Sequence, residues 1–419
     1  MWLLIILGIL ARVWQFGQIP NSLYWDEAAI GLDARAIIQT GRDLVGNSWL
    51  QPLFVSYGDF KAPVYIWLVT LLGKFFGTNE WVIRLPSLIA SFGTAWIIFK
   101  LFGRLAAISF LIMPWAIHFS RIGFESHLSL FFLTLMVWLI VKKSYLAGLS
   151  GVLGIYSYIS LRLLVPLMFL IFAWRRGWQK LIGGLAIIGA GIWILTVSPH
   201  YAASQQYRLS NDNLITAPLP KIEKGRQFLS NYFDFFEPRF LIVSGDPNLR
   251  HHSGFGGELL LIQGLLVIVG LMARPNRLMI LWLLASPVVA ALVNETPHAS
   301  RAIYMIIPLA YLAGLGWQKL AKNKWLPWLI IAGLTINLLV YLHDYFVHYP
   351  QRSAAAWIKP YKDAAKKQYD RPVYISPALY KPELYFAYYQ NDLSLLQPND
   401  RFYYYLPDIC PEGATCLKF

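Results

Sequence analysis

Charge is the scarcest ingredient of this chain. Only 14% of its 419 residues are Asp, Glu, Lys or Arg, while 57% are hydrophobic. Soluble domains carry about 25% charged and about 45–50% apolar residues. That much apolar surface exceeds what one water-soluble core encloses, which excludes an ordinary globular domain and points to a chain dissolved in lipid. Acids are scarcer than bases, 22 against 36, and the net charge is +14. In a soluble protein this excess would suggest nucleic acid. Here Lys and Arg that set membrane topology account for it, and no nucleic-acid partner is expected. Cysteine is nearly missing. Cys410 and Cys416 cannot alone make a zinc site, which wants about four ligands, but a short disulfide would suit an extracytoplasmic tail. There is no P-loop, no Gly-rich dinucleotide fingerprint and no obvious internal repeat. The apolar runs lack the mid-membrane acids of an ion-coupled transporter.

Aromatic residues are plentiful, with 17 Trp and 24 Tyr, as interfacial belts require. A membrane-spanning helix needs about 17–25 apolar residues. Runs near or somewhat short of that length occur at 2–17, 85–101, 105–119, 127–141, 145–159, 162–174, 180–197, 258–272, 278–293, 303–317 and 325–342. The first has no small-x-small cleavage site after it and reads as a retained helix, not a signal peptide. With the N-terminus in the cytoplasm, every inner loop is short and basic. These loops hold Lys100 and Arg104; Lys142 and Lys143; Arg175, Arg176 and Lys180; Arg274 and Arg277; Lys319, Lys322 and Lys324. The expected fold is therefore an all-α polytopic membrane protein with about 11 transmembrane helices, N-in and C-out. The outside then receives loops 18–84, 120–126 and 198–257, and a tail, 343–419. A membrane domain, 1–342, is expected to precede the extracytoplasmic tail domain. The apolar stretch Pro63–Gly77 cannot cross without inverting every later loop, so it reads as an interfacial helix. In the tail, 353–367 reads as helix and 372–376 and 402–406 as short strands, a small α/β domain.

Polar clusters near a bilayer need a reason, and the outer segments hold most acids and histidines. Tyr24-Trp25-Asp26-Glu27 precedes an Ala-rich helix; Asp26 is either an N-cap or a general base at the membrane surface, and both can hold. In Tyr57-Gly58-Asp59-Phe60-Lys61, Lys61 is either a snorkelling lysine or a cation for phosphate. Arg121 and Glu125 lie in a tight outer loop, as a polar pair or as a second acid facing Asp26. His298 and Arg301 stand at the outer end of a span, where a basic residue against the positive-inside trend suggests an anion, from a lipid headgroup or a substrate. Asp246, Arg250, His251 and His252 lie in the long outer loop, as a lid or a polar turn; adjacent histidines rarely share one ion, and no metal is expected there.

The segments Trp25-Asp26-Glu27, Lys61-Ala62-Pro63-Val64-Tyr65-Ile66-Trp67, Arg84-Leu85-Pro86-Ser87, Arg121-Ile122-Gly123-Phe124-Glu125 and Pro297-His298-Ala299-Ser300-Arg301 come in an order and loop placement that resembles GT-C glycosyltransferases. The similarity is to the protein O-mannosyltransferase, aminoarabinose transferase and Rgt-type families. It departs from them at Ala62, where the family often has proline, at Phe60, where some members have an acid, and at Glu125, where Asp is common. The resemblance implies the GT-C fold and an inverting transfer of a mannose-like sugar from a polyprenyl-phosphate carrier to a protein, lipid or glycan hydroxyl. The reaction would run on the extracytoplasmic face of the plasma membrane. It implies catalytic Asp26, Glu27 and Glu125, donor-phosphate binding by Lys61, His298 and Arg301, and a substrate lining of Tyr24, Trp25, Tyr57, Asp59, Arg121, Arg250 and His251. No cofactor is required on this reading, although the acids make an optional divalent ion conceivable. Two other classes stay open: a transporter or flippase for lipid-linked sugars, which would want mid-membrane polar residues and repeat symmetry, and a ligase or polymerase of lipid-linked glycans.

Overall fold

The computed structural model describes residues 1–57, 59–174, 181–210 and 213–419. Gly58 and the expected inner-loop cations Arg175, Arg176 and Lys180 lie outside the described residues. The protein is mostly helical, and the helix ends follow from local chemistry. The Trp25–Thr40 helix starts after extended Tyr24 and stops at Gly41, whose φ of 72° favours glycine. Asp26 is therefore in the first turn rather than at the cap, where a carboxylate still meets the positive end of the helix dipole. Pro63 opens the Pro63–Phe76 helix, where its missing N–H has no intrahelical use. The Glu80–Phe102 helix is capped by the Asn79 side chain, which accepts from the Val82 amide.

Among the described residues, two helices are long and apolar enough to cross a membrane, Glu80–Phe102 and Leu326–Arg352. Ile182–Thr196 with Tyr201–Tyr207 would add a third if that pair, bent by 82°, is one span. The other expected spans are shorter helices or broken ones. The 105–119 run divides into Arg104–Leu111 and Pro114–Phe119, because Pro114 cannot continue the hydrogen-bond ladder. The 278–293 run ends its regular helix at Ala285, just before Pro287.

Packing of these helices is close. A Cβ on Gly270 would meet the Leu312 carbonyl oxygen at 2.0 Å, and one on Gly316 would meet that of Leu266 at 1.9 Å. The Leu261–Leu271 and Ile306–Leu320 helices can cross at this separation only with hydrogen at both positions.

The tail holds the helices Lys359–Ala365 and Pro382–Tyr389 and a small all-parallel sheet. Val373–Ile375 is its centre, with Phe402–Tyr403 and Thr415–Leu417 on either side. The third strand was not foreseen. Cys410 and Cys416 are joined in a disulfide. The tail is tied to the 18–84 segment: Lys362 pairs with Glu80 at 2.7 Å, the Tyr388 hydroxyl donates to the Thr78 carbonyl at 2.8 Å, and Arg35 donates to the Ala387 and Tyr388 carbonyls. The tail therefore roofs the segment that carries Asp26 and Lys61.

Candidate active site

Two helix starts and one short hairpin bring the central charges together. Asp26 sits in the first turn of Trp25–Thr40, and Glu125 is the first residue of Glu125–Val141. Lys61 ends the strand Asp59–Lys61, which pairs antiparallel with Phe54–Ser56. The Lys61 ammonium donates to Asp26 Oδ1 in an ion pair; Lys61 is 6% exposed and Asp26 34%. Burial pushes the Lys61 ammonium down, but Asp26 and then Glu125 outweigh it, so its pKa lies above the ordinary value. Burial pushes the Glu125 carboxyl up, against Lys61 and together with Asp26. Asp59 is within electrostatic reach of both Lys61 and Glu125. One lysine thus faces three acids.

Glu27 has a different task. It is fully buried, and four hydrogen bonds occupy its carboxylate. Oε1 accepts from Arg84 Nε at 2.9 Å and the Gly123 amide at 2.6 Å; Oε2 accepts from Arg84 Nη2 at 3.1 Å and the Tyr24 amide at 3.0 Å. Gly123 is needed there, since a Cβ would sit 3.0 Å from Glu27 Oε1. Arg84 also donates to the Pro20 carbonyl at 2.7 Å and to that of Ser22. The expected catalytic Glu27 is thus a carboxylate whose oxygens join three segments. Arg121, expected in the substrate lining, is buried and donates to the Ala11, Arg12, Gln15 and Ile19 carbonyls, where it caps the first helix.

A second cluster lies beside the first. The Arg250 guanidinium stands 4.0 Å from the Tyr24 ring centroid and 5.0 Å from that of Trp25. Burial lowers its pKa to about 10, with Glu295 opposing. His251 Nδ1 lies 3.1 Å from Asp246 Oδ2, which also accepts from the Ala299 amide at 2.7 Å. The His251 and His298 rings are 4.2 Å apart. Burial, then His251 and Arg301, hold His298 well below the ordinary histidine range, hence neutral. Arg301 reaches Glu295 at 3.5 Å. Asp246, His251 and His298 each offer a ligand atom within 4.8 Å of the others. Tyr385, from the tail, is in electrostatic reach of Asp26, Glu27 and Arg250 and so stands between the clusters. The tail also places Tyr380 against Trp25, ring centroids 4.9 Å apart, and Lys381 Nζ on the Tyr57 carbonyl at 2.6 Å.

Sequence reasoning gave no role to Arg84, Tyr385 or Asp33. Arg84 carries the signal already applied to Arg301, an arginine in a segment expected outside, where cations are scarce. No pattern in the sequence pointed to Tyr385. Asp33 is 1% exposed, its Oδ1 accepts from the Leu44 amide at 3.3 Å and its Oδ2 is buried without a partner. Burial raises its pKa from 3.8 to about 7. The folded state therefore binds this proton more tightly than the unfolded chain, so Asp33 costs stability as pH rises across that window. Asp33→Asn is expected to melt several degrees above the parent at pH 8 and level with it at pH 4, by scanning fluorimetry in detergent. An unchanged pH slope in the variant would refute this.

A family model described as dolichyl-phosphate-mannose-protein mannosyltransferase matches residues 60–202, which include Lys61, Arg84 and Glu125 but not Asp26 or His298. No curated protein matches the chain. Among solved structures, apo ArnT from Cupriavidus metallidurans is 12% identical, with a TM-score of 0.56 over 92% of this chain and 82% of that one. The undecaprenyl-phosphate complex of the same protein is 13% identical, with a TM-score of 0.57 over 93% and 84%. The archaeal oligosaccharyltransferase AglB from Archaeoglobus fulgidus, in complex with an inhibitory peptide and a dolichol-phosphate, is 11% identical, with a TM-score of 0.50 over 96% and 64%. The chain shares the fold of these solved structures.

Proposed function

We propose that this chain is a GT-C membrane glycosyltransferase that transfers a sugar from a polyprenyl-monophosphate carrier to an acceptor hydroxyl, with inversion, on the outer face of the plasma membrane. The observation that carries the reading is the Lys61–Asp26 pair with Glu125 beside it, placed at two helix starts and directly before the Pro63–Phe76 helix. The bound lipid phosphates of ArnT and AglB support a lipid-linked donor. A lysine has three donors, of which Asp26 takes one, so Lys61 can also hold a phosphate. Asp26 Oδ2 takes the proton of the acceptor hydroxyl as its oxygen attacks the anomeric carbon and the lipid phosphate leaves. The departing charge falls on Lys61 and Arg250, the latter held by the Tyr24 and Trp25 rings. Glu125 orients sugar hydroxyls. Arg301, Asp59 and Tyr57 line the outer approach. Glu27, through Arg84, holds the helix start that carries Asp26.

The sugar is mannose-like on the family default, and the acceptor is a protein, lipid or glycan. About 11 spans, N-in and C-out, agree best with the basic inner loops. The chain then divides into a membrane domain, 1–342, and an outer tail, 343–419, whose disulfide suits an oxidising compartment.

The test is transfer by the purified protein in liposomes from undecaprenyl-phosphate-mannose, followed by mass spectrometry of the products. Consumption that depends on the protein, absent with a pyrophosphate-linked glycan, is expected. On intact cells, a membrane-impermeant maleimide should label Cys410 and Cys416 only after reduction. No turnover of any monophosphate sugar donor, or cysteines that stay inaccessible, would overturn the reading.

A further inference from the structure

Asp246, His251 and His298 are buried together although they come from two outer segments about fifty residues apart. Asp246 Oδ2 and His251 Nδ1, 3.1 Å apart, already stand near the separation of about 3.3 Å that two ligands keep around a tetrahedral zinc with bonds near 2.0–2.1 Å. The His298 ligand atom is within 4.8 Å of both, a distance that a small ring rotation closes. Glu295, on the segment that carries His298, has Oε2 3.8 Å from His298 Nε2 and is free to swing inward, being 58% exposed.

The surroundings favour a cation there. Glu258 and Asp246 are both buried, Glu258 Oε1 accepts from the Asp246 amide, and Glu258 Oε2 is buried with no partner among the described residues. The neighbouring His118 and His252 are already committed. His118 meets the Arg250 carbonyl and the Tyr345 hydroxyl; His252 meets the Gly257 carbonyl and accepts from the Gly254 amide. Of these four histidines, His251 and His298 keep a ring nitrogen for an ion.

We propose that Asp246, His251, His298 and Glu295 form a zinc site that clamps the end of the long outer loop to the 294–302 loop. Zinc takes the place of a proton between Asp246 Oδ2 and His251 Nδ1, and a neutral His251 then carries its ring proton on Nε2. Two imidazoles and two carboxylates make a neutral closed site with no position for a substrate. The clamp fixes the backbone next to Arg250 and three residues before Arg301, so zinc positions both arginines without touching the donor. His251 and His298 then leave the set of substrate-binding residues. The inference does not depend on which sugar is moved, or on whether one is.

The test uses the full-length protein without a histidine tag, loaded with zinc, desalted and assayed by elemental analysis. About one equivalent per chain is expected, one being the capacity of a single four-ligand site. Cobalt in its place should give the intense visible absorption of a tetrahedral ion. The double variant His251→Ala/His298→Ala should lose the metal, while His252→Ala should keep it. Exposed His343 and His348, with rings 5.3 Å apart, are the obvious adventitious site. Zinc retained by the double variant, no retained zinc in the parent, or an octahedral cobalt spectrum would overturn the proposal. The parent's stoichiometry and spectrum decide the matter even if the double variant fails to fold.

Discussion

Asp26→Asn is expected to cut sugar transfer by about 10²–10⁴-fold, the usual contribution of a positioned general base, and to leave a folded protein. Asparagine keeps the shape of the side chain and can still accept from Lys61, but it cannot take the acceptor's proton. Asp26 is a third exposed and, among the described residues, pairs with Lys61 alone, so its charge is not a structural keystone. Lys61 keeps Glu125 and Asp59 within electrostatic reach in the variant, so its own burial stays compensated. The loss should appear in kcat with the KM for the lipid donor little changed, as expected when an interaction made only in the transition state is removed. Turnover equal to that of the parent would sink the base assignment. A raised KM at constant kcat would instead give Asp26 the lesser part of aiming Lys61 at the donor phosphate.

The fold was legible where local chemistry dictates it. Pro63 and Gly77 bound the Pro63–Phe76 helix, and the tail strands at 373–375 and 402–403 fell where β-branched and aromatic residues run together. Span limits were not legible, because proline breaks at 114 and 287 and close glycine contacts at 270 and 316 depend on tertiary packing that hydropathy does not encode. The same holds for the site. Asp26 and Lys61 stand 35 residues apart, yet each announced itself as a charge at a helix start in a lipid-facing chain. The difference between Asp26 and Glu27 did not. Adjacent acids look alike in a sequence; in the fold their side chains point about 100° apart around one helix, one to Lys61 and one to Arg84. Nor could the sequence show that the Arg121 guanidinium closes the end of the first helix, since that pairing needs carbonyls about a hundred residues away.

The histidine cluster shows the converse. Adjacent histidines at 251 and 252 were not expected to share an ion, and in the fold His252 is bound to its own loop. His251 found its companion at 298, a residue read from the sequence as a phosphate ligand. Motif proximity in the chain and proximity in space selected different partners.

Glu27→Ala is expected to be the most damaging single change to the fold. Arg84 is 0% exposed, and removing one member of a fully buried pair leaves the other charge uncompensated, at about 3–5 kcal/mol. The Tyr24 and Gly123 amides lose their acceptor as well, so the cost spreads to both ends of the site scaffold. A stability of about 5–15 kcal/mol is typical of native proteins, so the Ala variant should give little monodisperse protein in detergent and a much lower melting temperature. Glu27→Gln separates framework from catalysis. Its carbonyl can still accept on one side, while its amide would face the Arg84 and Tyr24 donors, so it should melt between Ala and parent. Per folded molecule it should transfer sugar at close to the parental rate, because Asp26 is untouched. A Gln variant that folds like the parent and is inactive would make Glu27 a catalytic acid after all, and its four hydrogen bonds a resting arrangement that substrate displaces.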